Sequence, residues 1–241
     1  MQELVPEILH LSPILSYDKV LRSMGIPPGK PIRKRLTRLI DESLPVAAAI
    51  ARPKLAWTIG RSEQIKAVLG KSIRLQRYLQ LPEYAALVAG TISSEWDDFV
   101  MREDDPMKAY VYTAIATAIA RDSLVKARRE LSQRYPDCKI GDSLSPGTDR
   151  LPHSLQARFA EALPLQQIGV NFDAESFFMH PLATVTAVIG FGSSVEREHP
   201  LPECGEAQPR CWRCPDRNCQ LRVLPFEKQV LASESSPVSL P

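Results

Sequence analysis

This sequence has no long hydrophobic run and no strong excess of charge of either sign. No stretch of about 18 apolar residues occurs among its 241 residues, so we expect neither a membrane-spanning helix nor a membrane partner. The formal net charge is only +2, which argues against a partner held through nucleic-acid phosphates. Basic residues do cluster from Gly29 to Ile40, but their spacing is typical of an amphipathic helix with a solvated basic face.

Several familiar signatures are also missing. The first 15 residues contain Glu3 and Glu7 and lack the positively charged leader of a secretory signal, so we expect a cytoplasmic protein. Because thiols stay reduced in that compartment, the five cysteines are not expected to form a disulfide framework. The glycine fingerprint of a dinucleotide-binding unit and the nucleophile elbow of serine hydrolases do not occur, so neither class is indicated.

The pattern of apolar residues that is present predicts a mixed fold. Strands are predicted at 54–60 and 84–93, with two more within 168–192. Helices are predicted over most of 1–50 with a break at 25–31, and at 62–70, 107–131 and 154–163, while 141–152 is predicted to be a loop. Thr184 and Thr186 alternate with apolar residues, which predicts a strand with one solvated face. The order predicts an α+β fold, with helices packed on a mainly antiparallel twisted sheet.

Four of the five cysteines lie close together near the C-terminus. They are Cys204, Cys211, Cys214 and Cys219, separated by six, two and four residues. The two-residue gap lets two thiolates bind one metal ion or cluster from a single turn, and four cysteinates suit zinc and iron–sulfur clusters alike. Zinc ribbons usually pair two such gaps across a longer insert, so we favour an iron–sulfur cluster. Zinc is the alternative, and the absence of a stable metal is the third reading. Cys138 is isolated and is predicted to be a small buried or half-buried thiol.

The C-terminal half contains a series of motifs in a fixed order. They are the Ser145–Pro146–Gly147 turn, a short helix, "IGV" at 168–170, the "SF-x-M-x-P" pattern at 176–181 and an alternating strand. In these motifs the chain resembles a known family, the activation domain of cobalamin-dependent methionine synthase, and in particular its stand-alone relatives. Stand-alone members often end in a cysteine cluster followed by arginine, as at 204–222 here. The resemblance extends over residues 20–222 and is most specific from 143 onwards.

This resemblance implies a binding site for S-adenosylmethionine and a partner that carries cobalamin. The ligand would lie against the turn, where glycine permits close approach of the backbone. The implied contacts are Ser145, Pro146, Gly147, Thr148, Arg150 and Met179. The chain departs from the family at Ser143, where the family has arginine, and at Thr148, where it has tyrosine. Serine cannot replace a bidentate guanidinium, so weaker binding is predicted unless another group such as Arg150 substitutes.

The implied function is an accessory role in corrinoid-dependent methyl transfer. The protein would dock a cobalamin-dependent methionine synthase or a corrinoid protein and help to reactivate it by reductive methylation. No catalytic side chain is expected, because the cobalt and the methyl donor carry the chemistry. The alternative is a non-enzymatic metal-binding interaction module with a decayed ligand pocket. The predicted organisation is an α+β domain at 1–200, a cysteine-rich metal-binding segment at 201–225 and a disordered tail at 226–241.

Overall fold

The computed structural model of the protein describes residues 4–26, 29–70, 72–147 and 151–195. Its strands are β1 (Glu7–His10), β2 (Lys54–Arg61), β3 (Tyr84–Thr91), β4 (Lys139–Leu144), β5 (Asn171–Phe172), β6 (Met179–His180) and β7 (Val185–Gly192). Its α-helices are α1 (Tyr17–Ser23), α2 (Lys34–Ile50), α3 (Ser62–Leu69), α4 (Ile73–Tyr78), α5 (Trp96–Met101), α6 (Pro106–Arg134) and α7 (Gln156–Ala162). Short 3-10 turns at His153–Leu155 and Leu165–Ile168 flank α7.

The main sheet is antiparallel throughout. Its five strands lie in the order β1-β2-β3-β7-β4, and β5 and β6 form a separate two-stranded ribbon. The register places Trp57 opposite Val88 and Val88 opposite Ala187, so apolar residues of three strands share one face. The predicted α+β fold with helices on a mainly antiparallel sheet is confirmed.

Helices cover both faces of this sheet. The long helix α6 packs Leu124, Ala127 and Leu131 against one face, in a cluster with Trp57 and Phe191. Helices α3, α4 and α7 cover the other face, in a cluster that includes Leu87, Leu155, Phe159 and Val188. A third cluster joins α1, α2 and α5 to the first half of α6. Among the residues described, no helix is long and apolar enough to cross a membrane.

The prediction of one solvated face for β7 is wrong. Thr186 is buried, and its hydroxyl donates a hydrogen bond of 2.7 Å to the side-chain oxygen of Gln156 on α7. The strand lies between β3 and β4 and is covered on both faces, so the Thr186 hydroxyl finds its partner within the protein. An alternating pattern therefore marked the strand correctly but misled about its surroundings.

Two other segments differ from the sequence-based expectation. Residues 7–10 form edge strand β1 instead of a helix, because their backbone pairs with Lys54–Trp57 of β2. Residues 141–144 belong to β4 instead of a loop, and they pair with β7 across an irregularity between Ile140 and Ser143. Glycine at 141 lets the two strands approach, since a Cβ atom there would lie 2.9 Å from the carbonyl oxygen of Gly190.

Most of the remaining boundaries agree with prediction. Strands β2 and β3 and helices α3 and α6 occur where their patterns predicted them. The helical region before residue 50 is interrupted between α1 and α2, at the proline-rich segment. The predicted C-terminal segments at 201–225 and 226–241 lie outside the described residues.

Candidate functional site

A tight turn follows directly after edge strand β4. Its glycine, Gly147, has φ of +79°, in the left-handed region that favours glycine. The Gly147 N–H donates a hydrogen bond of 3.1 Å to the carbonyl oxygen of Leu151, which closes the loop. Pro146 is buried and Gly147 is exposed, so the turn presents backbone to the surface. Thr148 and Arg150, both predicted ligand contacts, lie outside the described residues.

His153 lies immediately beneath this turn. A Cβ atom at position 147 would lie 3.2 Å from His153 Nδ1, so any residue larger than glycine would press on the imidazole. The imidazole also packs on Phe178, with ring centroids 5.1 Å apart. His153 Nε2 is buried and has no hydrogen-bond partner among the described residues. The sequence analysis missed His153, because its place beneath the turn depends on how the loop folds back.

These contacts bring two sequence-distant motifs together. The Ser145–Gly147 turn and the segment from Phe177 to Met179 meet through His153 and Phe178. Phe177 has φ of +60°, which is costly for a residue with a side chain. Strained backbone of this kind persists only where the surroundings enforce it, and it clusters at functional sites.

Met179 lies in the interior at this point. Its side chain is buried in the core cluster that contains Leu151, Leu155 and Phe159. Its role as a direct ligand contact stays a prediction.

Exposed apolar side chains lie on the loop that follows Phe177 and on helix α5, to which this loop is tied. Phe178 is 51 % exposed, and Leu182 in the following loop is 64 % exposed. The Leu182 N–H donates to Asp97 Oδ2 at 2.8 Å, which ties this loop to α5. Helix α5 ends at Met101, whose side chain is 83 % exposed. We call Phe178, Leu182 and Met101 the apolar rim.

A buried arginine lies beside strand β4. Arg128 on α6 is 3 % exposed, and its Nη1 donates a hydrogen bond of 3.2 Å to the Ser143 hydroxyl. Ser143 pairs with Ile189 of β7, and Ile189 packs in the cluster that contains α6. The two side chains therefore lie on the same face of the sheet. No sequence motif could reveal this contact, because Arg128 lies on α6, before the specific motifs that begin at residue 143.

Glu83 binds Ser193 and Ser194 where the chain leaves β7, and we call this contact the Glu83 clamp. Its Oε1 accepts hydrogen bonds of 2.7 Å from the hydroxyls of both Ser193 and Ser194, and one of 3.2 Å from the Ser194 N–H. The hydrogen bonds from Ser194 and then Ser193 lower the pKa of Glu83 from 4.5 to about 2. Gly192 is required here, since a Cβ atom would overlap the Glu83 carboxylate.

The predicted metal ligands follow this clamp in the chain. Cys204, Cys211, Cys214 and Cys219 all lie outside the described residues. Within the ranges that the structure does describe, no three His, Cys, Asp or Glu side chains are grouped so that they could hold a metal ion. Cys138 is a free, half-buried thiol, as predicted, and burial raises its pKa.

Comparison with known proteins supports the fold. No protein-family model matches the sequence, and no curated protein matches it. Among solved structures, the chain is similar to the crystal structure of the MetH reactivation domain bound to AdoHcy. The TM-score is 0.57 at 13 % identity, over 83 % of this chain and 81 % of that chain. At this identity the likeness shows the fold, and it confirms the predicted activation-domain-like architecture.

Proposed function

We propose that this protein assists reactivation of a cobalamin-dependent methionine synthase or a corrinoid protein. In this role it binds S-adenosylmethionine, or its product S-adenosylhomocysteine, at the Ser145–Gly147 turn. The observation that carries the proposal is the shared fold with the MetH reactivation domain, whose structure holds AdoHcy. The resemblance of residues 143–192 to activation-domain motifs supports it independently, because it concerns the segment that builds the turn.

The turn is suited to hold a small polar ligand. Exposed Gly147 offers backbone without a side chain in the way, and the buried His153 Nε2 has hydrogen-bonding capacity that no described residue uses. When bound, S-adenosylmethionine supplies the methyl group. The residues of this chain bind and orient it: the turn contacts the ligand through backbone, and His153 supports the turn against Phe178.

The apolar rim is the proposed docking surface for the corrinoid partner. Exposed apolar side chains commonly mark protein interaction sites. Phe178 packs on His153 beneath the turn, so a partner that contacts Phe178 would lie close to the proposed ligand site. We expect a small, transient interface, because the partner must leave once its cobalt is active again.

The four C-terminal cysteines are proposed to hold an iron–sulfur cluster. Their spacing supports this, and the segment begins just beyond the Glu83 clamp on Ser193 and Ser194. The cluster would act as an electron relay or as a structural clasp. If the cysteines hold zinc and the turn binds no ligand, the protein is instead a metal-binding interaction module.

The deciding experiment combines two titrations of the complete chain. Isothermal titration with S-adenosylhomocysteine tests the turn. Titration against cobalamin-loaded methionine synthase from the same genome, in methylated and cob(II)alamin forms, tests the partner. Binding in both titrations is the expected result. If neither form of the synthase binds, the accessory role is wrong, even if the small ligand binds.

A further inference from the structure

Strand β2 extends beyond the strand that covers its outer edge. Strand β1 pairs with Lys54–Trp57 only, whereas β2 continues to Arg61 and pairs with β3 over its whole length. In an antiparallel sheet, alternate residues of a strand bond to the neighbour on one side and to the neighbour on the other. The Ser62 N–H faces β3, where it bonds to the Glu83 carbonyl oxygen, so the Ile59 N–H and C=O face the outer edge. Neither of these two groups has a backbone partner among the described residues.

The N-terminal segment leaves this edge because it crosses to the other face of the sheet. A Cβ atom at Gly60 would overlap the Leu4 side chain, so glycine at this position gives Leu4 room to pass. Leu4 packs in the cluster beneath α3, α4 and α7, whereas Ile59 packs on the opposite face, in the cluster formed with α6 (the α6 cluster). Val5 would lie opposite Ile59 if β1 continued in register, but its side chain is 71 % exposed. An open pairing position therefore remains beside Ile59.

A cleft of about 420 Å³ lies beside this open position, and Ile59 is one of its lining residues. Ligand sites in proteins commonly have volumes of about 300–1,000 Å³, so the cleft is large enough to hold a ligand. Trp57, Tyr84 and Tyr135 also line it, and all three belong to the α6 cluster. The cleft therefore offers aromatic surface to an apolar side chain that enters on the α6 face.

Two arginines lie over the aromatic rings of the cleft, and only one of them is paired. The Arg134 guanidinium carbon lies 4.7 Å from the centroid of the Trp57 ring. Arg134 also forms an ion pair of 2.8 Å with Glu7. The Arg61 guanidinium carbon lies 5.9 Å from the centroid of the Tyr84 ring, and this exposed side chain forms no ion pair among the described residues. Unpaired positive charge therefore remains at the far end of the open edge.

We propose that this cleft binds an extended acidic segment of another protein, which adds to the outer edge of β2 as an antiparallel strand. An apolar residue of the segment lies opposite Ile59, places its side chain in the cleft and bonds to the Ile59 N–H and C=O. The residue two positions earlier in the segment lies opposite Arg61, where aspartate or glutamate neutralises the guanidinium. The cleft is near the opposite edge of the sheet from β4 and the Ser145–Gly147 turn, so this proposal is independent of the proposed function.

The test uses the complete chain and a fluorescein-labelled, end-capped peptide of six residues. The peptide has glutamate at its second position, valine at its fourth and threonine elsewhere. Fluorescence polarisation is expected to show saturable binding. The same peptide methylated on the valine nitrogen cannot donate to the Ile59 carbonyl oxygen and should bind about tenfold more weakly. A peptide with lysine in place of the glutamate should also bind more weakly, by about five- to tenfold, because it faces Arg61 with a like charge.

Charge reversal on the protein provides the matched control. Arg61→Glu should invert the preference, so that the lysine peptide binds more tightly than the glutamate peptide. Arg74→Glu, at an exposed arginine on α4, makes the same change in net charge and should keep the native preference; melting temperatures show that each variant folds. The proposal is wrong if the native chain binds neither peptide, or binds the methylated peptide as tightly as the unmodified one. The same inversion by Arg74→Glu would show that binding follows net charge alone, which would also overturn it.

Discussion

Arg128 and Ser143 are joined by a hydrogen bond of 3.2 Å that links the central helix to an edge strand 15 residues later. Position 143 is where the resembled family has arginine. In this chain a guanidinium already lies beside that position, because Arg128 on α6 contacts Ser143. Arginine and serine at these two sites thus form a pair, and the site cannot be judged from residue 143 alone.

Restoring the family residue is therefore expected to harm this protein. Ser143→Arg would bring a second guanidinium against Arg128, and like charges in a half-buried place repel strongly. We predict a loss of about 2 kcal/mol in the free energy of unfolding, and no gain in affinity for S-adenosylhomocysteine. Urea unfolding and calorimetric titration measure both quantities. Ser154→Arg, at an exposed serine, is the control; tighter ligand binding by Ser143→Arg would refute the prediction.

Gly147→Ala should damage the ligand site beyond its cost in folding. Alanine at φ of +79° costs about 1 kcal/mol, and its Cβ would also press on His153. Gly70→Ala is a matched control, since Gly70 has φ of +78° and no atom within 4 Å of a Cβ there. We expect both variants to lose stability, and only Gly147→Ala to lose S-adenosylhomocysteine binding. Equal affinities in the two variants would place the ligand away from the turn.

The Glu83 clamp predicts a specific dependence of stability on pH. The folded-state pKa of about 2 lies below the ordinary value of 4.5, so the stabilisation is fully present above pH 4.5 and is lost as pH falls towards 2. Glu83→Gln should lower the free energy of unfolding by about 1 kcal/mol at pH 7, allowing for solvent screening. The gap between variant and native chain should shrink at pH 3. Glu175→Gln, at an exposed position, should show no gap at either pH.

The cysteine cluster is tested by metal content. Protein purified without oxygen is expected to contain iron and acid-labile sulfide, and Cys211→Ser combined with Cys214→Ser should remove both. Cys138→Ser is the control, because this half-buried thiol packs against the α6 cluster of the α+β domain and should not affect the metal. Stoichiometric zinc without iron in the native protein would show that the four cysteines form a zinc site and not an iron–sulfur cluster.

The apolar rim is tested by charge insertion. Leu182→Glu and Met101→Glu should weaken association with the cobalamin-loaded synthase about tenfold each, because an unpaired charge would have to be desolvated at the interface. Both side chains are largely exposed, so stability should change little. Ile73→Glu on α4, an equally exposed apolar position outside the rim, should bind normally. If both rim variants bind as tightly as the native chain, the docking surface lies elsewhere on the protein.

Local patterns in the sequence were sufficient for most of the elements. Helix α6 was predictable from its long periodic run, and β2 and β3 from their apolar and β-branched content. Strands β1 and β4 were not, because both lie at the edges of the sheet and exist only through pairing with a distant strand. Strand β7 was predictable as a strand, but its burial on both faces was not, because the buried hydroxyl of Thr186 is satisfied by Gln156 from another element.

The sequence by itself determined the α+β class, the turn at Ser145–Gly147 and the cysteine spacing, since each depends on residues that are neighbours in the chain. Only the tertiary structure decided that His153 lies beneath the turn and that Arg128 lies beside Ser143. These contacts arise when α6 packs across the sheet and when the chain after Gly147 folds back so that His153 lies against the turn. No local preference encodes them, because their energy comes from burial that exists only after the whole core has assembled.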